Sequence, residues 1–118
     1  MSYVEERRPG ALEGLPESFR IEVRPDRGRV HVVPHGEVDM ATVGRLAAEI
    51  DDLVGRGFEA VVLDLRTTTF LDSSGVHMLV EQSARTDARV TLIEGSTQVR
   101  RIFDITGVRR LLRFEATA

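Results

Sequence analysis

The sequence comprises 118 residues, of which 42% are apolar and 30% charged, so it predicts one folded domain and excludes a largely disordered chain. All 16 basic residues are arginines, and the 19 acidic residues leave a net charge of -3, which argues against nucleic-acid binding because no overall positive field attracts phosphates. The absence of cysteine excludes disulfides, thiolate metal sites and a cysteine nucleophile.

Residues 1–18 are predicted to form an extension outside the core. Prolines and glycines interrupt the charged residues there, without any sustained period. Because this start has no apolar segment typical of a secretory signal, and no stretch is long enough to cross a bilayer, we expect a cytoplasmic protein that does not bind membranes. The domain itself is predicted to span residues 19–118.

Alternating apolar residues predict a β-hairpin at the start of the domain. FRIEVRPDRGRVHVV (19–33) places apolar and charged side chains on opposite faces and reverses at the turn "PDRG". A helix follows, because apolar residues recur at helical spacing: Val43, Leu46, Ala47, Ile50 and Val54. We expect Asp39 to cap the start of this helix and Gly55 or Gly57 to end it.

The second half of the chain predicts further strands and helices. EAVVLDL (59–65) is apolar without alternation, which is typical of a strand with both faces buried. A second helix begins in FLDSSG (70–75), RVTLIE (89–94) is the next strand, and a third helix runs from Ser96 to Gly107. RRLLRFE (109–115) is predicted to be a short closing strand or an edge segment. The fold class is therefore α/β, with a mixed sheet of four to five strands flanked by helices.

Two polar turns are candidate functional sites. Right-handed crossovers place helix starts at the carboxyl ends of strands, where open sheets hold their functional groups. Asp39 and the turn Asp72-Ser73-Ser74 stand at such helix starts, so they could lie on the same edge of the sheet. Either serine hydroxyl could simply cap the helix. Alternatively, a phosphoserine at this turn would meet the free amides and the dipole of the helix, and would change the surface without unfolding it.

Three separated motifs closely resemble the anti-sigma factor antagonists, the bacterial members of the STAS domain family. They are GEVD (36–39), VVLDLRTTTFLDSSGVHMLVE (61–81) and RRIFDITGVRRLLRFE (100–115). The resemblance implies a single STAS-like domain, not an enzyme, that binds an anti-sigma factor and thereby frees a sigma factor for transcription. The anti-sigma factor is itself often a serine kinase, and its phosphorylation of Ser73 switches binding off. A metal-dependent serine phosphatase restores binding, so nucleotide and magnesium belong to the partners and this chain needs no cofactor.

The resemblance also predicts a partner-binding surface around the phosphorylation site: Asp39, Asp72, Ser73, Ser74, Gly75, His77 and Met78. Ser74 is expected to cap the helix or to contact the partner. A side chain at Gly75 could crowd the partner, or the glycine could merely relax the first helical turn. His77 stands where many relatives carry a small residue, one turn beyond the phosphorylated serine. His77 is therefore either a contact that narrows partner choice, as Met78 could be, or a surface residue without a role, and both alternatives are favoured over a pH-sensing role.

The two ends of the chain depart from the family pattern. Relatives commonly carry a further helix after the equivalent of "RFE", whereas this sequence ends at Ala118 and has a longer start. We therefore expect part of residues 1–18, through Leu12 and Leu15, to pack where that last helix would lie.

Functions of other classes fit the sequence less well. A serine hydrolase would need a Gly-x-Ser-x-Gly turn, and a phosphate-binding loop would need a lysine, and the sequence has neither. A metal site at His31 and His35 would need a regular strand across Pro34, and no other ligand cluster accompanies them. The remaining alternative is a module of the same fold that serves as a scaffold in a signalling assembly and is never phosphorylated.

Overall fold

The structure, a computed structural model, describes residues 19–87 and 89–115. Together with a short 3-10 helix near the end, these residues form three α-helices and five strands. In chain order they are β1 (Arg20–Asp26), β2 (Arg29–Val38), α1 (Val43–Gly55), β3 (Ala60–Asp64), β4 (Thr68–Leu71), α2 (Ser73–Arg85), β5 (Val90–Ile93) and α3 (Thr97–Thr106). The predicted extension, and the packing expected for Leu12 and Leu15, lie outside the described residues.

The strand β2 organises the sheet because it pairs with β1, β3 and β4. Its antiparallel pairing with β1 confirms the predicted hairpin, which turns through Arg27 at a φ of 64°. The first residues of β2 pair in parallel with β3, and its last residues, from Gly36 onward, pair in parallel with β4 with a register shift between Gly36 and Glu37. β3 also pairs in parallel with β5. The sheet has the order β1-β2-β3-β5 with β4 beside β2, and it is mixed, as predicted, because only the pairing of β1 with β2 is antiparallel among the described strands.

The strand β4 was not predicted from the sequence. It begins to pair with β2 at Gly36, beyond the last β3 pairing at Val32, so β2 changes neighbours around Pro34. Two hydroxyls, those of Thr67 and Thr68, each donate a hydrogen bond to the Pro34 carbonyl over 3.1 Å. This arrangement places the end of β4, and hence the start of α2, beside the end of β2.

The hydrophobic core lies between one face of the sheet and the three helices. Its strand residues occupy alternate positions on that face, among them Ile21, Val23, Val30, Val32, Val61, Leu63, Val90 and Leu92. The helices contribute Leu46, Ile50, Leu53, Val76, Met78, Leu79, Val99 and Phe103 to the same cluster. Val33, Val62 and Ile93 point to the opposite face and are also buried, with 3%, 0% and 7% of their surface exposed. The prediction that the "EAVVLDL" strand is buried on both faces is therefore confirmed.

The ends of α3 agree with the sequence pattern, whereas the closing segment differs from it in part. Ser96 caps α3 by accepting a hydrogen bond from Val99 N, and Gly107 ends the helix at a φ of 70°, so α3 begins and ends where it was predicted to. The segment predicted to be a closing strand or an edge segment begins as a 3-10 helix, Arg109–Leu111, and then meets the edge of the sheet through a single parallel bridge between Phe114 and Leu92. None of the described helices is long and apolar enough to cross a membrane.

Candidate functional site

The turn between β2 and α1 is built around Asp39. Its carbonyl accepts hydrogen bonds from the N–H groups of Thr42 (3.1 Å) and Val43 (2.8 Å), and its Oδ1 accepts one from Ala41 N over 2.9 Å. The prediction that Asp39 caps α1 is wrong, because the N-cap is Thr42, whose side chain makes no capping hydrogen bond. Asp39 instead stabilises the reversal that the chain makes before α1 can pack on the sheet. The helix ends at Gly55, one of the two predicted ends.

The N-cap of α2 is the carboxylate of Asp72. Its Oδ1 accepts hydrogen bonds from Gly75 N over 3.1 Å and from Ser74 Oγ over 2.5 Å. The capping that we considered for a serine hydroxyl is therefore performed by the preceding carboxylate. Burial disfavours the charged form of Asp72, but hydrogen bonds from the Ser74 hydroxyl and from the N–H groups of Gly75, Ser74 and Met40 outweigh it and lower its pKa. Asp72 is thus an anion at neutral pH.

The two polar turns meet at one edge of the sheet, as the crossover rule predicted. Asp72 N donates to the Val38 carbonyl over 3.2 Å, which continues the pairing of Val38 with Leu71. From the other turn, the backbone N–H of Met40 helps to lower the pKa of the Asp72 carboxyl group. Residues more than thirty positions apart in the sequence are therefore joined by hydrogen bonds at the edge where α1 and α2 begin.

The two serines of the second turn have different surroundings. Ser74 is half-buried, and its hydroxyl is held by Asp72. Ser73 is exposed as the first residue of α2, and among the described residues its hydroxyl takes part in no hydrogen bond. Of these two serines, only Ser73 therefore has a hydroxyl that is exposed and makes no hydrogen bond within the described residues.

A groove of about 520 Å³ separates the starts of α1 and α2. It is lined by Met40, Val43, Gly44, Ala47, Asp72, Ser73, Ser74, His77, Met78 and Glu81. Met40 is 83% exposed, whereas Met78 is 5% exposed and belongs mainly to the core. His77 is exposed and lies one helical turn from Ser73 on the same groove. The sequence analysis missed Met40, although an apolar residue inside a polar turn directly after Asp39 was a usable signal.

Gly75 is buried beneath the site rather than exposed to a partner. A Cβ at this position would collide with the Leu71 side chain and lie 3.1 Å from Val38 Cγ1. A side chain at Gly75 would therefore crowd the strands underneath, whereas the sequence left open either crowding of a partner or a relaxed first helical turn. The glycine lets the first turn of α2 approach β2 and β4 closely.

The histidines of β2 do not form a metal site in the described residues. His31 and His35 are half-buried strand residues, and His35 Nε2 lies 2.8 Å from Glu22 Oε1. No group of three or more histidine or acidic side chains in residues 19–87 and 89–115 is arranged to hold a metal ion.

Comparisons with known proteins identify the family and similar folds. Residues 20–118 match the family model described as the STAS domain. The structure is similar to that of an anti-sigma factor antagonist from Mycobacterium paratuberculosis, with 26% identity, a TM-score of 0.77, and coverage of 86% of this chain and 89% of that chain. It also resembles the anti-sigma factor antagonist SpoIIAA in its unphosphorylated form, with 24% identity, a TM-score of 0.65, and coverage of 83% of this chain and 88% of that one.

A third similar structure is the Bacillus cell fate determinant SpoIIAA in the phosphorylated form. It shares 22% identity and has a TM-score of 0.59, covering 83% of this chain and 91% of that chain. The two SpoIIAA structures support the fold alone, because their identity to this chain is low. No curated protein sequence matches the chain significantly.

Proposed function

This chain belongs to the STAS domain family, and we propose that it acts as an anti-sigma factor antagonist that is switched by phosphorylation of Ser73. Its unphosphorylated form binds an anti-sigma factor in the cytoplasm and so frees a sigma factor for transcription. The likeness to the mycobacterial antagonist, at 26% identity over 86% of this chain, supports the general role. The observation that carries the switch is the contrast between the free, exposed hydroxyl of Ser73 and the committed hydroxyl of Ser74.

The phosphorylation step transfers the γ-phosphoryl group of ATP to Ser73 Oγ. A P–O bond forms at Oγ, the bond from the γ-phosphorus to the oxygen bridging to the β-phosphate breaks, and ADP leaves. The partner kinase supplies ATP, its metal ion and the base that takes the hydroxyl proton. This chain supplies an accessible hydroxyl on a helix start that Asp72 keeps ordered, and a metal-dependent serine phosphatase later removes the phosphate by hydrolysis.

The site tolerates a phosphate without unfolding. The Asp72 carboxylate already accepts hydrogen bonds from Gly75 N and Ser74 Oγ, so a phosphate on Ser73 leaves the cap intact. A phosphoserine at a helix N-terminus also interacts favourably with the helix dipole. Modification therefore changes the surface and spares the fold.

The groove explains how one phosphate could abolish binding. Its apolar side chains, Met40, Val43, Ala47 and Met78, suit an apolar side chain of the anti-sigma factor, and Met40 is the most exposed of the four in the part of the chain described. Asp39, Asp72, Ser74 and His77 contribute polar contacts at the rim, while Gly75 supports the helix from below. A phosphate brings roughly 1.5 to 2 negative charges to this rim, together with bulk and a shell of water that a partner must displace.

The first experiment compares Ser73→Ala, Ser73→Asp and the control Ser74→Ala as baits in lysate of the native host. We expect an ATP-binding anti-sigma kinase to be enriched on Ser73→Ala and lost from Ser73→Asp, although a carboxylate carries less charge than a phosphate. The purified kinase should then transfer radiolabelled phosphate to the wild type and to Ser74→Ala, but not to Ser73→Ala. We expect phosphorylation to weaken binding at least about tenfold, equivalent to about 1.4 kcal/mol.

Equal affinity of the kinase for the phosphorylated and unphosphorylated protein would contradict the switch. Labelling that persists in Ser73→Ala would contradict the choice of serine. Either result would leave the fold unchanged and would favour a scaffold that is not regulated at Ser73.

A further inference from the structure

His77 occupies the position on α2 from which a side chain reaches a group on Ser73. The two residues are separated by four positions in the helix, so their Cβ atoms lie about 6 Å apart on one face. Both are exposed and both line the groove between α1 and α2. Among the described residues no hydrogen bond or ion pair engages the His77 ring. The imidazole is therefore available to a new group on Ser73.

The charged groups that face His77 are few. They are Asp72, at the N-cap of its helix, and Glu81, within the helix, and both line the groove. The facing residues of α1, Val43, Gly44 and Ala47, are uncharged, as is Met40 in the preceding turn. Asp72 is occupied by the cap, so Glu81 is the one acidic side chain of the groove that competes with a phosphate for His77.

The helix geometry favours the phosphate over Glu81. An acidic group stabilises a helix more when it stands four residues before a basic group than when it stands four residues after it. The phosphate on Ser73 has the favoured order and Glu81 has the reverse. The phosphate also carries roughly twice the charge of a carboxylate and offers three acceptor oxygens.

We propose that His77 is a phosphate-positioning residue, which binds the phosphate of phosphorylated Ser73 as a cation and makes the phosphorylated state sensitive to pH. This inference rests on the proposed phosphorylation of Ser73 and adds a partner for the phosphate within the same chain. Histidine ordinarily titrates near neutral pH, and the second ionisation of a phosphate monoester lies near pH 6. The contact requires a protonated imidazole beside a phosphate anion.

The test uses full-length protein that carries phosphoserine at position 73, installed during translation so that no kinase is needed. The titration of the phosphate is followed by phosphorus NMR in the wild type, in His77→Gln and in the control His31→Gln, which changes a histidine of β2 on the sheet. A nearby cation favours the dianion, so we expect the titration midpoint of the phosphate to be at least about 0.5 pH unit higher in His77→Gln than in the wild type. His31→Gln should titrate like the wild type.

A second variant separates charge from shape. His77→Lys keeps a cation at this position above neutral pH, so we expect its phosphate midpoint to be as low as that of the wild type or lower. Equal midpoints in the wild type, His77→Gln and His77→Lys would overturn the proposal. Because the phosphoserine is installed without a kinase, this outcome would leave partner switching intact, and a failure to find an anti-sigma kinase would not alter the titration.

Discussion

The Asp72 carboxylate both caps α2 and interacts with the other polar turn. It caps the helix through Gly75 N and holds the Ser74 hydroxyl, and the backbone N–H of Met40 in the other turn helps to lower its pKa. A sequence pattern with three polar residues before a helix does not reveal which one is the cap. Here the carboxylate takes that role, and the consequence is that the Ser73 hydroxyl remains free.

Replacing Asp72 should affect stability in two separable ways. Asp72→Ala removes the cap, and we expect it to lower the free energy of unfolding by about 1 kcal/mol. Asp72→Asn keeps an acceptor oxygen but loses the charge, so it should cost less. Urea unfolding of the three proteins at pH 7, followed by circular dichroism, measures both differences, and equal stability of the wild type and Asp72→Ala would contradict the capping role.

The contribution of Asp72 to the free energy of unfolding should also depend on pH, in a direction set by its lowered pKa. The folded protein lowers the pKa of Asp72, so the folded state holds this proton less tightly than the unfolded state does. The resulting stabilisation is complete above about pH 5 and is lost as the pH falls through the folded pKa, below about pH 4. The stability difference between the wild type and Asp72→Asn should therefore shrink between pH 5 and pH 2.

At the scale of elements, Gly75 sets how closely α2 approaches the strands beneath it. A methyl group at Gly75 would collide with Leu71 and crowd Val38, so we expect Gly75→Ala to lower the free energy of unfolding by about 1 to 3 kcal/mol. Gly44 is the matched control, because nothing lies within 4 Å of a Cβ built there. Gly44→Ala should leave stability unchanged or raise it by up to about 1 kcal/mol, since alanine is the better helix former.

Thermal and urea unfolding of both alanine variants would decide this point. If Gly75→Ala were as stable as Gly44→Ala, the close approach of α2 to Leu71 would be unimportant. A Gly75→Ala protein that is folded and still destabilised would show that this glycine serves packing rather than partner contact.

The elements that could be predicted from the sequence are those whose side-chain pattern is local. The hairpin showed clean alternation, α3 showed both its cap and its terminal glycine, and the two-sided burial of β3 followed from its unbroken apolar run. The strand β4 has only four residues, with the burial order buried, exposed, exposed, buried, so it shows no alternation. Its pairing depends on the switch of neighbours near Pro34, which is a tertiary feature.

The location of the candidate site could be predicted from the sequence, but its side-chain contacts could not. The crossover rule brought Asp39 and Asp72 to one edge, since it depends only on the order of strands and helices. The identity of the caps, the exposed Met40 and the buried surroundings of Gly75 depend on how two distant turns pack together. Those contacts have no signature in the local sequence.

At the scale of the whole molecule, apolar side chains on the second face of the sheet are buried, so we expect a further segment to pack over them. Val33, Val62 and Ile93 are buried on that face, whereas the described helices pack on the other. We expect deletion of residues 1–17 to lower the melting temperature by at least about 5 °C, because each fully buried aliphatic side chain contributes about 1.5 to 3 kcal/mol. Differential scanning calorimetry of the full-length and truncated proteins measures the change.

Point variants identify which residues of the extension matter. Leu12→Ser combined with Leu15→Ser should reproduce most of the loss, because these are the apolar residues that we expect to pack. Glu5→Ser combined with Glu6→Ser should leave the melting temperature unchanged. A truncated protein as stable as the full-length chain would contradict the expected packing.

Under the proposed function, the pairing of β4 with β2 would link partner binding to the lifetime of the protein. The turn at Asp39 and Met40 lies beside the turn at Asp72 and Ser73 because Val38 pairs with Leu71, so a partner that contacts both turns recognises only the folded chain. By mass action, a free partner at one hundred times its dissociation constant adds about 2.7 kcal/mol to stability. A form released by its partner loses this protection and opens more often to proteases. Under the proposed switch, phosphorylation would then set the abundance of the antagonist as well as its activity.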